Sequence, residues 1–134
     1  MNTKLLVTGA GGYIGSVTTQ MLLQQGFEVI GVDNFTTGFQ KPLEILQSEF
    51  GKTKFRWYQA DVSDLDAVLT TELGIQAVLH FAGSTNVDES MKYPSTYYKN
   101  NTCALIGLLE TMQKNGIQKI VFSSTAAVYG ESRT

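Results

Sequence analysis

Cysteine and histidine are nearly absent from this sequence of 134 residues, which contains one of each, Cys103 and His80. A single cysteine excludes an internal disulfide and indicates a reducing compartment. With one histidine and one cysteine, the composition also argues against a zinc site of the usual ligand types. We therefore expect a cytoplasmic protein without a metal centre.

The sequence also lacks a long apolar run and a basic patch. Glycines interrupt the N-terminal segment LLVTGAGGYIG after three apolar residues, which excludes a signal peptide or a membrane span there. The 10 Lys and Arg residues are scattered and the net charge is −2. Nothing therefore favours a membrane or a nucleic acid as partner.

Five short apolar runs alternate with helical patterns. The runs are KLLVT (4–8), EVIGVD (28–33), FRWYQAD (55–61), AVLHFAG (77–83) and KIVFSS (119–124). Because they are apolar on both faces, they predict strands covered on two sides. Strand and helix alternate as right-handed βαβ units, so residues 1–134 are predicted to form one α/β domain of the Rossmann type. We expect a doubly wound parallel sheet of about five strands in the order 3-2-1-4-5.

Apolar stripes and end signals locate four helices between the strands. The first stripe is Ile14, Val17, Met21 and Leu22 before Gly26; the second is Leu43, Leu46 and Phe50 before Gly51. Ser63-x-x-Asp66 predicts a capping box that opens the third helix. The fourth begins at Pro94, carries Leu105, Leu108, Leu109 and Met112, and ends at Gly116.

Glycines follow the first strand in the segment TGAGGYIGS. Gly9, Gly12 and Gly15 have the spacing G-x-x-G-x-x-G, and a helix is predicted to begin near Tyr13. Such glycines allow a sharp turn, a close approach of backbone to a pyrophosphate and tight packing of helix on strand. The helix N-terminus favours phosphate through its free N–H groups. The alternative is an ordinary glycine-rich turn, but the position between strand and helix favours phosphate binding.

Carboxylates end the second and third strands. Asp33 is placed to accept both ribose hydroxyls of an adenosine, and with no Lys or Arg before Lys41 it favours NAD over NADP. Its alternative role is a helix or turn cap. Asp61 is placed to accept from an adenine amino group, with Val62 against the ring, or else it is a loop residue beside Ser63.

The fourth and fifth strands end in small and hydroxylated residues. Ala82 and Gly83 leave room for a dinucleotide against the backbone, whereas His80 lies inside the apolar run and is better explained as a core histidine than as a catalytic one. The hydroxyls of 123–125 either contact substrate or nicotinamide, or cap a turn. All five strand ends thus carry polar or glycine features on the edge where this architecture binds ligands.

Six segments make the sequence resemble the N-terminal part of the UDP-glucose 4-epimerase family, within the extended short-chain dehydrogenase/reductases. They are VTGAGGYIGS, VDN, ADV, HFAGSTNVDES, YYKNN and FSSTAAVYG. They occur in the family's order and cover essentially the whole chain. HFAG…ES followed by YY-x-NN is more specific than the glycine motif.

The resemblance implies NAD as cofactor, a UDP-sugar as substrate, and a set of site residues. The implied cofactor-binding residues are Gly9, Gly12, Tyr13, Ile14, Gly15, Asp33, Asn34, Asp61, Val62, Phe81, Ala82, Gly83, Asn100 and Ser123. Thr125 would be the catalytic residue that hydrogen-bonds the sugar hydroxyl. In the family a tyrosine removes the proton of that hydroxyl while hydride passes to NAD and later returns to the opposite face of the 4-keto sugar. UDP-glucose and UDP-galactose are thereby interconverted.

Two departures from the family pattern bear on function. Thr85 stands where epimerases commonly carry a lysine near the cofactor ribose, so we expect weakened NAD binding. None of the six tyrosines is followed four residues later by lysine, so the family's Tyr-x-x-x-Lys base is missing. The C-terminal strands and the substrate domain are expected to be absent too. We therefore expect a fragment that is inactive by itself.

Other functions fit the same motifs. A related nucleotide-sugar dehydratase or decarboxylase would share fold and cofactor, a non-catalytic dinucleotide sensor would lack the base, and a purely structural domain would bind no ligand. Relatives of this type usually form homodimers through the long helix that starts near Pro94 and the helix of the missing tyrosine. We therefore expect a homodimer for a full-length protein, and an exposed apolar face on this chain.

Overall fold

The computed structural model describes residues 3–72 and 74–130. Its strands are β1 (Lys4–Thr8), β2 (Glu28–Asp33), β3 (Phe55–Gln59), β4 (Ile75–His80) and β5 (Ile120–Phe122). They form one sheet in the order β3-β2-β1-β4-β5, and every neighbouring pair is parallel. The predicted fold class and strand order are confirmed, with the topological switch between β1 and β4.

Helices connect the strands on both faces of the sheet. They are α1 (Tyr13–Gln24), α2 (Gln40–Phe50), α3 (Asp66–Thr71), α4 (Val87–Lys92), α5 (Pro94–Tyr97) and α6 (Ala104–Lys114). A π-helical segment, Tyr98–Cys103, joins α5 to α6, and a 3₁₀ turn, Ala126–Tyr129, follows β5. The long helix predicted from Pro94 therefore exists but changes its winding in the middle. No helix in the described ranges has the length and apolarity that crossing a membrane requires.

Helix α1 forms where the periodicity predicts it, but it buries a different face. Its buried residues are Gly15, Thr19 and Leu23. The predicted stripe is largely exposed: Ile14 by 55%, Val17 by 44% and Met21 by 54%. The reason is the close approach of α1 to the preceding loop, since a Cβ added at Gly15 would lie 2.0 Å from the carbonyl oxygen of Gly9. Only small residues fit the inner face at that end of the helix.

The core lies on both sides of the sheet. One cluster includes Leu6, Ile30, Val78, Leu65 and Leu108, and the other includes Val7, Val29, Leu43 and Phe55. Strand β5 differs, because Val121 is 58% exposed and Phe122 51%. The prediction that every strand is covered on two sides is therefore wrong for β5. Ile106 and Leu109 of α6 are also exposed, by 53% and 44%.

The predicted capping box of α3 is not formed. The helix begins at Asp66, and no side chain caps its N-terminus. Ser63 instead donates through its N–H and its hydroxyl to Oδ1 of Asp61, at 3.0 and 2.7 Å. The carboxylate two residues earlier competes for the serine and holds it in a local turn.

The buried carboxylate of Glu72, directly after α3, contacts side chains of β1 and β3. Glu72, 3% exposed, accepts from Nε and Nη2 of Arg56 at 2.5 and 2.6 Å and from the hydroxyl of Tyr58 at 2.7 Å. The ammonium of Lys4 lies 3.4 Å away. The hydrogen bond from Arg56 is the main reason why the pKa of Glu72 falls to about 2. The network thus depends on the ionised carboxylate.

We expect Glu72→Gln to lower the free energy of unfolding by about 2 kcal/mol at pH 7. Because the pKa of Glu72 is lower in the folded state, its contribution is complete above the ordinary value of 4.5 and is lost as the pH falls from there toward 2. Urea unfolding between pH 7 and pH 3 measures both effects. Glu44→Gln is the matched control, since Glu44 forms an exposed pair with Lys41 at 3.5 Å and should change stability very little. Equal losses in the two variants would contradict the prediction.

Candidate functional site

The carboxyl ends of the strands meet at one edge of the sheet, where backbone hydrogen bonds extend the strand pairing into the loops. The bonds run from Ala10 to Val32, from Ala60 to Asp33, from Phe81 to Thr8 and from Ser123 to His80, at 3.1 Å each. They bring all the predicted site segments to the same edge. No group of three or more potential metal-ligating side chains occurs in the part of the chain that the structure describes.

The three motif glycines differ in how strictly the fold requires a residue without a Cβ. Gly9 has φ +69°, and a Cβ there would lie 2.6 Å from the backbone nitrogen of Ala82. A Cβ on Gly15 would lie 2.0 Å from the carbonyl oxygen of Gly9. Gly12 is much less crowded, because its added Cβ would meet only that same oxygen, at 3.3 Å. The fold thus requires Gly9 and Gly15, whereas at Gly12 a Cβ would need the Gly9 oxygen to shift by only a few tenths of an ångström.

The N-terminus of α1 is open beside Gly12. Gly12 is the N-cap, and no side chain caps the helix. Tyr13 is 85% exposed and Ile14 55%. The first N–H groups of a helix have no intrahelical acceptor, and they carry a partial positive charge. This end of α1 can therefore receive an anion through backbone donors.

Asp33 is buried beside the glycine loop, with 8% of its surface exposed. Its Oδ2 accepts from the N–H of Gly11 at 2.9 Å, and its Oδ1 accepts from the N–H of Phe35 at 2.8 Å. A Cβ on Gly38 would lie 2.8 Å from Oδ2. The cap role considered for Asp33 is therefore present. Each carboxylate oxygen keeps a further lone pair, so capping leaves capacity for a ligand hydroxyl.

The exits of β2 and β3 are linked by side chains. Nδ2 of Asn34 donates to Oδ2 of Asp61 at 3.0 Å. The hydrogen bond from the Ser63 hydroxyl is the main reason why the pKa of Asp61 lies below its ordinary value. Val62, only 8% exposed, packs in the core, so little of its side chain is open to a ligand. Asn34 and Asp61, both among the predicted cofactor-binding residues, are thus in direct contact.

The loop after β4 packs against the glycine loop. Side chains of the π-helical segment Tyr98–Cys103 form hydrogen bonds to it. Phe81 and Ala82 are half-buried and Gly83 is exposed. Nδ2 of Asn100 donates to the hydroxyl of Ser84 at 3.2 Å, and the neighbouring Asn101 binds the backbone of Ser84. Asn101 was not among the predicted site residues, although the segment YYKNN contains it.

His80 lies in the core, and the structure confirms that interpretation. It is 4% exposed, and its Nδ1 lies 2.7 Å from the hydroxyl of Thr8. Its ring stacks on Phe122 with a centroid distance of 5.7 Å. Burial lowers the pKa of His80, which favours the neutral ring. His80 therefore connects β1, β4 and β5 within the sheet.

The hydroxyl residues after β5 are exposed at the same edge. Ser123 continues the strand pairing through its N–H. The hydroxyl of Thr125 accepts from the N–H of Ala127 at 3.2 Å and so caps the 3₁₀ turn. Because Thr125 caps the turn as a hydrogen-bond acceptor, its O–H can still donate to a ligand. The capping alternative holds for Thr125 without excluding a substrate contact.

Two further glycines at this edge, Gly11 and Gly38, were not among the predicted site residues. Gly11 is confined by Phe39, since an added Cβ would lie 2.8 Å from the Phe39 carbonyl oxygen. Gly38 packs against the carboxylate of Asp33. Both glycines mark the close contact of the loop after β2 with the glycine loop. Gly11 stands in a G-x-G spacing with Gly9, whereas the only sequence signal for Gly38 was its residue type.

Comparisons with known proteins agree with this geometry. Residues 5–134 match the model of the NAD dependent epimerase/dehydratase family. The UDP-glucose 4-epimerase of Bacillus subtilis (strain 168) is 43% identical over 132 residues, which cover 97% of this chain and 39% of that relative.

Two solved structures show the same fold. A UDP-glucose-4-epimerase from Stenotrophomonas maltophila, with bound NAD and formylated UDP-arabinopyranose, has a TM-score of 0.90 and 38% identity, covering 99% of this chain and 40% of that one. A UDP-glucose 4-epimerase from Bifidobacterium longum, in complex with NAD+ and UDP, has a TM-score of 0.88 and 40% identity, covering 96% and 38%. This chain spans about two fifths of the length of these relatives. The resemblance found in the six sequence segments is confirmed, and the chain belongs to the NAD dependent epimerase/dehydratase family.

Proposed function

We propose that this chain is the NAD-binding N-terminal part of a UDP-glucose 4-epimerase, which interconverts UDP-glucose and UDP-galactose by transient oxidation at C4. The observation that carries the proposal is the open N-terminus of α1 at Gly12, a glycine that the fold constrains much less than it constrains Gly9 and Gly15. A glycine of that kind is explained by a ligand that needs close approach to the backbone. The family match and the two neighbours that contain NAD support the choice of ligand.

The residues at the strand exits fit a dinucleotide. The N–H groups of Tyr13 and Ile14 would bind the pyrophosphate, with Gly9 and Gly15 shaping the turn beneath it. Asp33 would accept the ribose hydroxyls through its remaining lone pairs. The other proposed cofactor positions are Asn34, Asp61, Val62, Phe81, Ala82, Gly83, Asn100 and Ser123. NAD, when bound, supplies the hydride acceptor for oxidation at C4.

Thr125 is proposed to orient the substrate. Its free O–H would hydrogen-bond the sugar hydroxyl whose carbon is oxidised, while its oxygen stays fixed by the N–H of Ala127. A fixed hydroxyl lowers the freedom of the reacting group before reaction. At Thr85 the chain has no cation, so we propose a lower NAD affinity than in relatives that carry lysine there.

We expect Asp33→Asn to reduce the preference for NAD over NADP by about tenfold. The substitution removes the negative charge that repels a 2′-phosphate. It also costs about 1 kcal/mol of stability, because one of the two N–H groups loses its acceptor. Titrations with both cofactors separate the effects, since lost stability lowers both affinities and lost charge changes their ratio. An unchanged ratio of the NAD and NADP affinities would show that Asp33 does not select between the two cofactors.

The 134-residue polypeptide alone is expected not to epimerise. Its sequence has no Tyr-x-x-x-Lys pair, so no phenolate with a lowered pKa can remove the substrate proton in the way the family does. Incubation of the purified chain with UDP-galactose and NAD, followed by separation of the UDP-sugars, measures this directly. Formation of UDP-glucose above the level of a protein-free control would refute the prediction.

Two expectations from the sequence stay predictions. A full-length protein is proposed to form a homodimer through the long helix, where Ile106 and Leu109 are exposed on this chain. A cytoplasmic location is predicted from the single cysteine and from the glycine-interrupted N-terminal run, which does not fit a signal peptide. Gel filtration of a full-length protein tests the first, and fractionation of the source cells tests the second.

A further inference from the structure

Ser84, in the loop that leaves β4, is bound on all its polar groups by two neighbouring asparagines. Oδ1 of Asn101 accepts from the N–H of Ser84 at 2.8 Å, and Nδ2 of Asn101 donates to its carbonyl oxygen at 2.9 Å. Nδ2 of Asn100 donates to the Ser84 hydroxyl at 3.2 Å. One amide thus replaces the two backbone partners that a neighbouring strand would supply.

The two hydrogen bonds of Asn101 fix the backbone of that loop. Within residues 82–85, among the contacts that the structure describes, Ser84 alone has hydrogen-bonded backbone groups, and both of its bonds go to Asn101. The strand pairing itself ends one residue earlier, where Phe81 donates to Thr8. The position of the loop therefore depends on the long helix rather than on the sheet.

The π-helical segment explains how two successive residues reach the same partner. Asn100 and Asn101 both lie within Tyr98–Cys103. In an α-helix successive side chains are separated by about 100° around the axis, which turns one of them away from a shared contact. A π turn is wider and brings successive side chains closer in direction, and such turns often occur at functional sites.

The anchored loop also forms one wall of the glycine loop. A Cβ on Gly9 would lie 2.6 Å from the nitrogen of Ala82, so the two backbones are in direct contact. A Cβ on Gly83 would lie 3.4 Å from Oδ1 of Asn101. A continuous path of contacts therefore connects Asn101, Ser84 and the β4 exit with Gly9 at the cofactor edge.

We propose that Asn101 is a positioning residue that fixes the β4 exit loop against the glycine loop and thereby sets the affinity for the dinucleotide. This inference rests on the proposed NAD-binding function. Asn101 acts through Ser84, so it is not proposed to touch the cofactor. Loss of its two hydrogen bonds is expected to weaken NAD binding about tenfold while the sheet stays folded.

The test compares Asn101→Ala with Asn101→Asp, each titrated with NAD at pH 8 beside the wild type. Both variants should bind about tenfold more weakly, because alanine has no polar side-chain atom and the ionised carboxylate has no donor for the Ser84 carbonyl oxygen. Thr102→Ala, at an exposed neighbour in the same segment, is the control and should bind as the wild type does.

A second measurement separates the two proposals. Hydrogen exchange of the Ser84 amide should accelerate at least about tenfold in Asn101→Ala, while the amide of Val78 in β4 keeps its protection. Unchanged exchange at Ser84, or wild-type NAD affinity in Asn101→Ala, would overturn the role of Asn101. A folded wild-type chain that bound no NAD would overturn the proposed function, and the exchange data would still decide whether Asn101 holds the loop.

Discussion

Gly15→Ala is expected to leave this chain largely unfolded. The added Cβ would lie 2.0 Å from the carbonyl oxygen of Gly9 and 2.9 Å from the Cα of Ala10. Both neighbours are backbone atoms between β1 and α1, so relief requires a shift of the helix from the sheet. Overpacking against backbone at such distances is expected to cost about 4 kcal/mol, which is most of the stability of a small domain. Circular dichroism during urea unfolding measures the loss.

Gly107→Ala is the matched control for this prediction. Gly107 also lies within a helix, but its added Cβ would meet only atoms of Ser63 at 3.7 Å, an ordinary contact. Alanine there should leave stability unchanged or raise it by about 0.5 kcal/mol through helix propensity. A Gly15→Ala variant as stable as Gly107→Ala would contradict the account of how α1 joins the sheet.

Gly12→Ala is expected to keep the fold and to lose NAD. Its added Cβ would meet one atom, the Gly9 carbonyl oxygen, at 3.3 Å, and the backbone at Gly12 has φ −79° and ψ 172°, which any residue adopts. Unfolding free energy should therefore change by less than about 1 kcal/mol. The methyl group would stand where the proposed binding mode brings the pyrophosphate against the backbone, so the dissociation constant for NAD should rise on the order of 30-fold.

The measurement pairs urea unfolding with NAD titration on the same sample. A variant that binds NAD as the wild type does would show that the open glycine has no role in binding. A variant that unfolds as Gly15→Ala does would show that the fold, rather than a ligand, requires this glycine. The first outcome bears on NAD binding and the second on the fold.

The sequence predicted the sheet and the edge of the site for physical reasons that are local. Continuous apolar runs separated by helical periods determine a parallel sheet, and strand order then places the strand ends at one edge. The first run, KLLVT, matches β1 residue for residue. Glycine spacing located the turn before α1, and Asp33 and Asp61 lie where the strand ends place them.

The predictions that were wrong or incomplete depend on contacts that the local sequence patterns do not determine. The inner face of α1 is set by the approach to Gly9, which hydrophobic periodicity does not report. The hydroxyl of Ser63 donates to the carboxylate of Asp61 and does not cap α3. The role of Asn101 depends on a π turn, for which the sequence carried no signal.

We propose that this chain binds NAD at the edge formed by the glycine loop and Asp33. Calorimetric titration of the folded 134-residue chain with NAD and, separately, with NADP tests it most directly. We expect one NAD site per chain and an affinity for NADP that is weaker by at least about tenfold, because Asp33 would repel the 2′-phosphate. A folded sample that gives no binding heat with NAD, or that binds NADP more tightly than NAD, would contradict it.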